Sequence, residues 1–323
     1  MKTVARLALI FSGLFSLTAF FTSLTRVWSL NVRSPDQRET LNYHFSLYLP
    51  DNRNSFFAGI IEGAERAASE LHVAISVHSI DPAKNELEMA SYTGVDGIIV
   101  CPYLDDVLAR RQLEKLGGRH IPVVLINHNI TNDQPWPFIG TNNFDMGRRI
   151  GLISMRLRPA SGNPEPLRLA VVYSDKAPGI YAERELVEMG MATALGDAPG
   201  SSVMSFKTNS NPLDAEVLLD RLFRDQMEGP AINTIVFTDS SDTLAAAQTL
   251  VDMNLVGQVQ VIGFGADPGV LENIRKGIIT CSVVIDSERI GYEAVRSLAA
   301  LRTTGYTSAT IDTGIEIITG SGL

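Results

Sequence analysis

Two adjacent rings, Phe56 and Phe57, follow an apolar run at 44–49, a proline at Pro50 and a short polar turn that ends in Asn54. An aromatic pair at the start of a helix can pack on the flat apolar face of a ligand. Asn54 is placed to cap that helix by accepting from its first free amides. His128 is a second residue with chemical potential, because it directly follows the run Val123-Val124-Leu125-Ile126-Asn127. The remaining histidines are scattered, and His72 and His78 read as structural or exposed. The chain contains no Walker loop, no His-Glu-x-x-His, no Gly-x-Ser-x-Gly and no Cys-x-x-Cys. Gly263-Phe264-Gly265-Ala266-Asp267-Pro268-Gly269 approximates a dinucleotide fingerprint, but its glycine spacing is wrong and Pro268 interrupts it. It reads as a strand-to-helix turn that needs small residues. Nothing assembles a nucleophile, a base and an oxyanion site. The chemistry on offer is stacking and hydrogen bonding, with no metal and no cofactor implied.

The elements that must position these groups alternate. Short apolar runs at 44–49, 72–77, 97–101, 122–126, 168–173, 233–238, 259–263 and 279–285 read as strands. Most are continuous rather than alternating, as expected for parallel strands covered on both faces. Amphipathic stretches at 105–116, 143–157, 181–195, 214–225, 242–253 and 287–302 read as helices. After Asn54, the residues Phe57, Ile60, Ile61, Ala64, Ala67, Ala68 and Leu71 recur at helical spacing, with Glu62, Glu65, Arg66 and Glu70 opposite. Alternation of this kind predicts an α/β fold with right-handed crossovers. Ligands of such sheets sit at the carboxyl ends of the strands, where Phe56, Phe57 and His128 fall.

The chain has 323 residues, enough for two domains, and a net charge of -9. That charge argues against a nucleic-acid partner, which needs a basic face. Cys101 and Cys281 are the only cysteines, and both end apolar runs, so they read as small buried hydrophobes. At the amino terminus, Lys2 and Arg6 precede nineteen uncharged residues, 7–25. As a helix that run would span about 28 Å, close to a bilayer core. It is long for a signal peptide and has no good small-x-small cleavage site, so it reads as a signal anchor in preference to a cleaved signal. Either reading puts the remainder outside the cytoplasm. Residues 1–28 are therefore assigned to targeting and 29–42 to a linker. The Pro-rich stretch 158–167 separates two sets of β-α units.

Landmarks spread over the whole remainder then fall into a familiar order. They are Asn54-Ser55-Phe56-Phe57 with Gly63, Val95-Asp96-Gly97-Ile98-Ile99-Val100, Ile121-Pro122-Val123-Val124, and Gly140-Thr141-Asn142-Asn143 with Gly147. Gly190, Val261-Ile262-Gly263-Phe264, Ile290-Gly291-Tyr292-Glu293-Ala294-Val295 and Asp312-Thr313-Gly314 complete the set. Residues 43–323 resemble the type I periplasmic sugar-binding proteins, similar to ribose- and galactose-binding proteins and to the ligand domain of lactose-type repressors. The resemblance implies two doubly wound parallel-sheet lobes joined by a three-strand hinge, behind an N-terminal membrane helix. Carried onto this chain, the first lobe is 43–143 plus 286–313 and the second is 144–285 plus 314–323.

The resemblance also implies a ligand held between the lobes. Its ligand-binding set here is Asn54, Phe56, Phe57, Tyr103, Asn127, His128, Tyr181, Arg184, Ser240, Asp242 and Asp267. Phe57 is expected to stack, with Phe56 the more core-like ring. The first-lobe positions match the family well, whereas the second wall departs from it. Ser240 stands where an Asn is usual, Gly265 where an Asp is common, Ile285 in place of Gln or Asn, and Leu213 in place of an aromatic. Asp267 is a substitute carboxylate for Gly265, and Tyr181 a substitute ring for Leu213. The implied function is extracytoplasmic capture of a small polar ligand, a sugar or sugar derivative, without catalysis. Its partner would be an ABC permease or a receptor histidine kinase. A DNA-binding repressor is disfavoured because an apolar segment occupies the place of its helix-turn-helix. An enzyme on the same scaffold is the remaining alternative.

Overall fold

The computed structural model describes residues 42–50, 55–80, 86–102, 106–130, 136–157, 166–175, 177, 180, 183–196, 200–209, 211, 213–224 and 232–322. The expected anchor at 7–25, most of the linker and 158–165 lie outside the described residues. Among the described residues no helix is long and apolar enough to cross a membrane.

Two six-stranded sheets organise the unit Tyr43–Leu323. The first contains β1 (His44–Leu49), β2 (Ala74–Ser79), β3 (Gly97–Val100), β4 (Val123–Ile126), β5 (Phe138–Gly140) and β11 (Thr310–Asp312), in the order β11-β5-β4-β3-β1-β2. The second contains β6 (Arg168–Ser174), β7 (Ser202–Thr208), β8 (Thr234–Phe237), β9 (Gln260–Phe264), β10 (Cys281–Ile285) and β12 (Ile315–Thr319), in the order β12-β10-β9-β8-β6-β7. Every pairing in both sheets is parallel except β10 with β12. The chain therefore passes between the sheets three times, near 140–143, 285–287 and 312–315. The central strands β3, β4 and β8 are buried throughout, which is why they read as unbroken apolar runs. On β1, Phe45, Leu47 and Leu49 belong to one core cluster, whereas Tyr48 turns to the opposite face with Val100 and Leu113.

Two helix pairs brace the sheets, and both depend on glycine. Helix α1 (Ser55–Leu71) lies against α9 (Ser287–Thr304), the last long helix. A Cβ on Gly63 would stand 1.9 Å from the Glu288 carbonyl oxygen, and one on Gly291 would stand 1.9 Å from that of Ile60. Helices α4 (Asn143–Arg156) and α5 (Arg184–Leu195) repeat the device. There Gly147 meets the Val187 carbonyl oxygen at 2.0 Å and Gly190 that of Phe144 at 2.1 Å, measured from the same hypothetical Cβ. The remaining helices are α2 (Glu86–Ala90), α3 (Asp106–Gly117), α6 (Asp214–Arg224), α7 (Ser240–Asp252) and α8 (Pro268–Arg275).

The strand expected at 72–77 begins two residues later. His72 takes φ 53°, a left-handed conformation that ends α1, and so delays β2 to Ala74. Both cysteines are free and buried, and burial pushes each thiol up to about 12.

Gly63→Ala and Gly291→Ala test the close helix approach. Alanine would gain up to about 1 kcal/mol of helix propensity, but forcing the backbones apart costs about 1–3 kcal/mol. Each variant is expected to unfold at lower urea concentration. Gly117→Ala, where a Cβ has nothing within 4 Å, should be neutral or stabilising. Equal stability of all three would show that the helices do not touch through their backbones.

Candidate functional site

A cleft of about 280 Å³ opens at the carboxyl ends of strands from both sheets. From the first sheet come Ser55, Phe56 and Phe57 after β1, and Asn127 after β4. From the second come Thr238, Asp239 and Ser240 after β8, the turn Gly265–Pro268 after β9, and Val284 and Ile285 closing β10. Phe264, Ala177, Ile180 and Ser287 complete the described lining. Parallel sheets put loops and helix starts at this edge, so the location follows from the winding.

The two rings meet edge to face, with centroids 5.3 Å apart. Their exposure inverts the expectation. Phe57 is 1% exposed and part of the core, whereas Phe56 is only half-buried. Phe57 shares α1's inner face with Ile60 and Ala64, so the helical period turns Phe56 towards the cleft.

Asn127 sits in a tight turn. Its φ is 61°, and the His128 amide donates to the Ile126 carbonyl at 2.7 Å, closing a three-residue loop around it. Such a turn is rare and strained, and Asn tolerates it better than most residues. The Asn127 amide donates weakly to Cys101 Sγ at 3.8 Å, which leaves its carbonyl oxygen to face the cleft.

On the second wall much of the polarity is already committed. Asp239 caps α7, its Oδ1 accepting from the amides of Ser241 and Asp242 and from the Ser241 hydroxyl. The Thr238 hydroxyl donates to the Val172 carbonyl and accepts from the Ser174 amide. Asp267 begins α8 without capping it. Gly265, at φ 82°, lets this carboxylate lie close. A Cβ on Gly265 would be 3.2 Å from Asp267 Oδ2 and 3.2 Å from Ser240 Cβ.

Of the residues expected from sequence, Phe56, Phe57, Asn127, Ser240 and Asp267 line the cleft, and His128, Arg184 and Asp242 do not. Asp242 is 1% exposed and turns to β7, where the Thr208 hydroxyl donates to it. Arg184 opens α5 with its side chain 4.0 Å from Glu185, along the helix surface. Leu213 is exposed and is not among the lining residues. Asn54, Tyr103 and Tyr181 lie outside the described residues. The apolar lining residues Ile180, Phe264 and Val284 were missed, although the last two could have been found as residues at or beside a strand's carboxyl end.

His128 instead joins a network beside the cleft. Its Nε2 is 2.8 Å from Asp106 Oδ1, and its Nδ1 points at Glu183 Oε1 from 3.7 Å, too far for a hydrogen bond. Glu183 precedes α5, on the second-sheet side, yet accepts from the Asn129 amide at 3.0 Å and from Asn143 Nδ2 at 2.7 Å. It thus ties the β4 loop to the first crossover and to α5. Burial pulls the His128 pKa down, but Glu183 and Asp106 together outweigh it and leave the pKa raised. Burial likewise opposes the Glu183 charge, but His128, the Asn129 amide and Asn143 outweigh it and leave its pKa lowered. No sequence signal marked Glu183.

A two-lobed α/β binding domain, with its cleft at the strand ends of both sheets, is the class defined here. The chain belongs to the periplasmic binding protein domain family, which matches residues 45–305. Among solved structures it is similar to GanP, a glucose-galactose binding protein from Geobacillus stearothermophilus, at TM-score 0.74 and 20% identity, covering 87% of this chain and 98% of that one. A solute binding protein from Agrobacterium radiobacter in complex with D-arabinose matches at TM-score 0.72 and 19% identity, over 86% and 95% of the two chains. The XylFII–LytSN complex matches at 0.71 and 21%, over 87% and 99%. At these identities the likeness shows the fold. No curated protein matches the chain.

The ion network sets a pH window. The raised His128 pKa contributes stability fully below the ordinary 6.5, which is lost as pH rises through the folded value. The lowered Glu183 pKa contributes above the ordinary 4.5, and that is lost as pH falls through its folded value. Both contributions are complete between about 4.5 and 6.5. In Glu183→Gln the His128 titration midpoint, followed by NMR, is expected to fall. An unchanged midpoint would remove Glu183 from the network.

Proposed function

We propose that this protein is an extracytoplasmic solute-binding protein that captures a small, neutral, sugar-like ligand between its two lobes and carries out no catalysis. The observation that carries the reading is the cleft itself. It pairs a half-buried ring, Phe56, with the open polar groups of Asn127, Ser240 and Asp267, contributed by both sheets. A sugar suits that pairing, because its ring face is apolar and each buried hydroxyl needs a partner. Phe56 stacks, Phe57 supports it from the core, and Asn54, Tyr103 and Tyr181 are proposed as further ligand contacts. His128 acts from behind Asn127 rather than on the ligand. Closure of the lobes is a population shift, favoured only by a ligand that contacts both walls.

The apolar run 7–25 would hold the protein at the membrane, where the closed form is read by an ABC permease or by a receptor kinase. A sugar ABC transporter's sugar-binding protein from Bacillus halodurans shares the fold, which supports the first partner. Retention at the membrane favours the second.

A thermal-shift screen of the full-length protein against neutral sugars, polyols and nucleosides tests the reading. A ligand at 100 times its Kd should stabilise by about 2.7 kcal/mol. Phe56→Ala is expected to keep the fold and weaken that ligand at least about tenfold, whereas Phe57→Ala should lower stability by about 3–5 kcal/mol. A panel in which no sugar shifts the transition would defeat the proposal.

A further inference from the structure

The second-sheet wall of the cleft divides into a polar corner and an apolar arc. Ser240 and Asp267 form the corner, gathered beside Gly265 as described above. The other polar side chains of that wall, Thr238 and Asp239, already make hydrogen bonds within the protein. Thr238 is satisfied in both directions, and Asp239 is engaged as the helix cap. The remaining side chains of that wall, those of Ile180, Val284, Ile285, Ala177 and Phe264, are hydrocarbon. Along β10 the backbone groups alternate: Val283 accepts from the Gly265 amide on the β9 side, and Val284 faces Glu316 on antiparallel β12. A hydroxyl turned towards this arc on closure would lose its water and find no side-chain partner. A methyl group there would gain burial instead. Charge narrows the ligand further. Two carboxylates line the cleft, and the described lining contains no lysine or arginine, so an anionic sugar is disfavoured.

We propose that the ligand is a neutral deoxy sugar, with its hydroxyls gathered towards Asp267, Ser240 and Asn127 and its methyl group lodged against Ile180, Val284 and Ile285. This rests on the sugar-binding reading above and names the class within it. Discrimination would come from the arc, because a pocket that lacks hydrogen-bonding partners penalises the hydroxylated parent.

Calorimetric titration of the full-length protein with matched pairs decides the matter: L-rhamnose against L-mannose, L-fucose against L-galactose, and 6-deoxy-D-glucose against D-glucose. The deoxy member of at least one pair is expected to bind at least about tenfold tighter than its parent. Ile285→Gln should shrink that ratio or reverse it by supplying a partner. Val284→Thr, close to isosteric and at a half-buried position, makes the same test if the first variant fails to fold. Failure of every pair to show that preference, or a ratio unmoved by a folded variant, would overturn the deoxy assignment and leave sugar binding standing. No binding by any of the six would overturn both.

Discussion

Backbone touches backbone where α1 crosses α9, and the rest of the first lobe depends on that contact. Carbonyl oxygens of Ile60 and Glu288 occupy the space that side chains of Gly291 and Gly63 would need. Approach this close packs both helices tightly onto the sheet, with Ile60, Ala64, Ile290 and Ala294 in one core. It also fixes the start of α1. Ser55, Phe56 and Phe57 are held at the cleft because the helix behind them cannot slide. The Gly147 and Gly190 pair does the same for α4 and α5, and so positions Glu183 at the head of α5.

Much of this was legible in the sequence because it rested on long, one-signed signals. Strands β3, β4 and β8 are covered on both faces, and their apolar runs said so. Four strands were missed for the opposite reason. β5 and β11 are three residues each, and β7 at a sheet edge is half-buried or exposed until its last residue, Thr208. β12 is nowhere fully buried, and it is recognisable only through its antiparallel partner β10. Single-residue orientation was harder still. Which of two neighbouring phenylalanines faces the cleft depends on the phase of α1, and a shift of one residue exchanges them. Asp242 looked available at a helix start, but its neighbour Thr208 comes from a strand that sequence pattern did not reveal.

The polar groups near the cleft divide their labour by geometry rather than by residue type. Asp239 and Asp267 both begin helices after strands, yet one caps its helix and the other does not. A cap satisfies orphan amides at the cost of the carboxylate's freedom. Asp267 keeps that freedom because Pro268 already presets the first helical residue. Asn127 and His128 are likewise sequence neighbours with different audiences, since a left-handed turn sends one to the cleft and the other to Asp106 and Glu183. Strain in that turn is held by the Asn127 amide, which donates to Ile139 on β5.

The three passes between the sheets also order events during synthesis. The first sheet lacks its edge strand β11, and α1 lacks its partner α9, until five of the six strands of the second sheet have been translated. At about 5–20 residues per second, roughly 10–30 s separate β5 from β11. During that interval Gly63 faces no Glu288 carbonyl, and α1 rests on the sheet without the helix that later crosses it. The amino-terminal half therefore cannot lock into its final form while the chain is still being made. The close glycine contact between α1 and α9 is thus among the last features that the growing chain can complete.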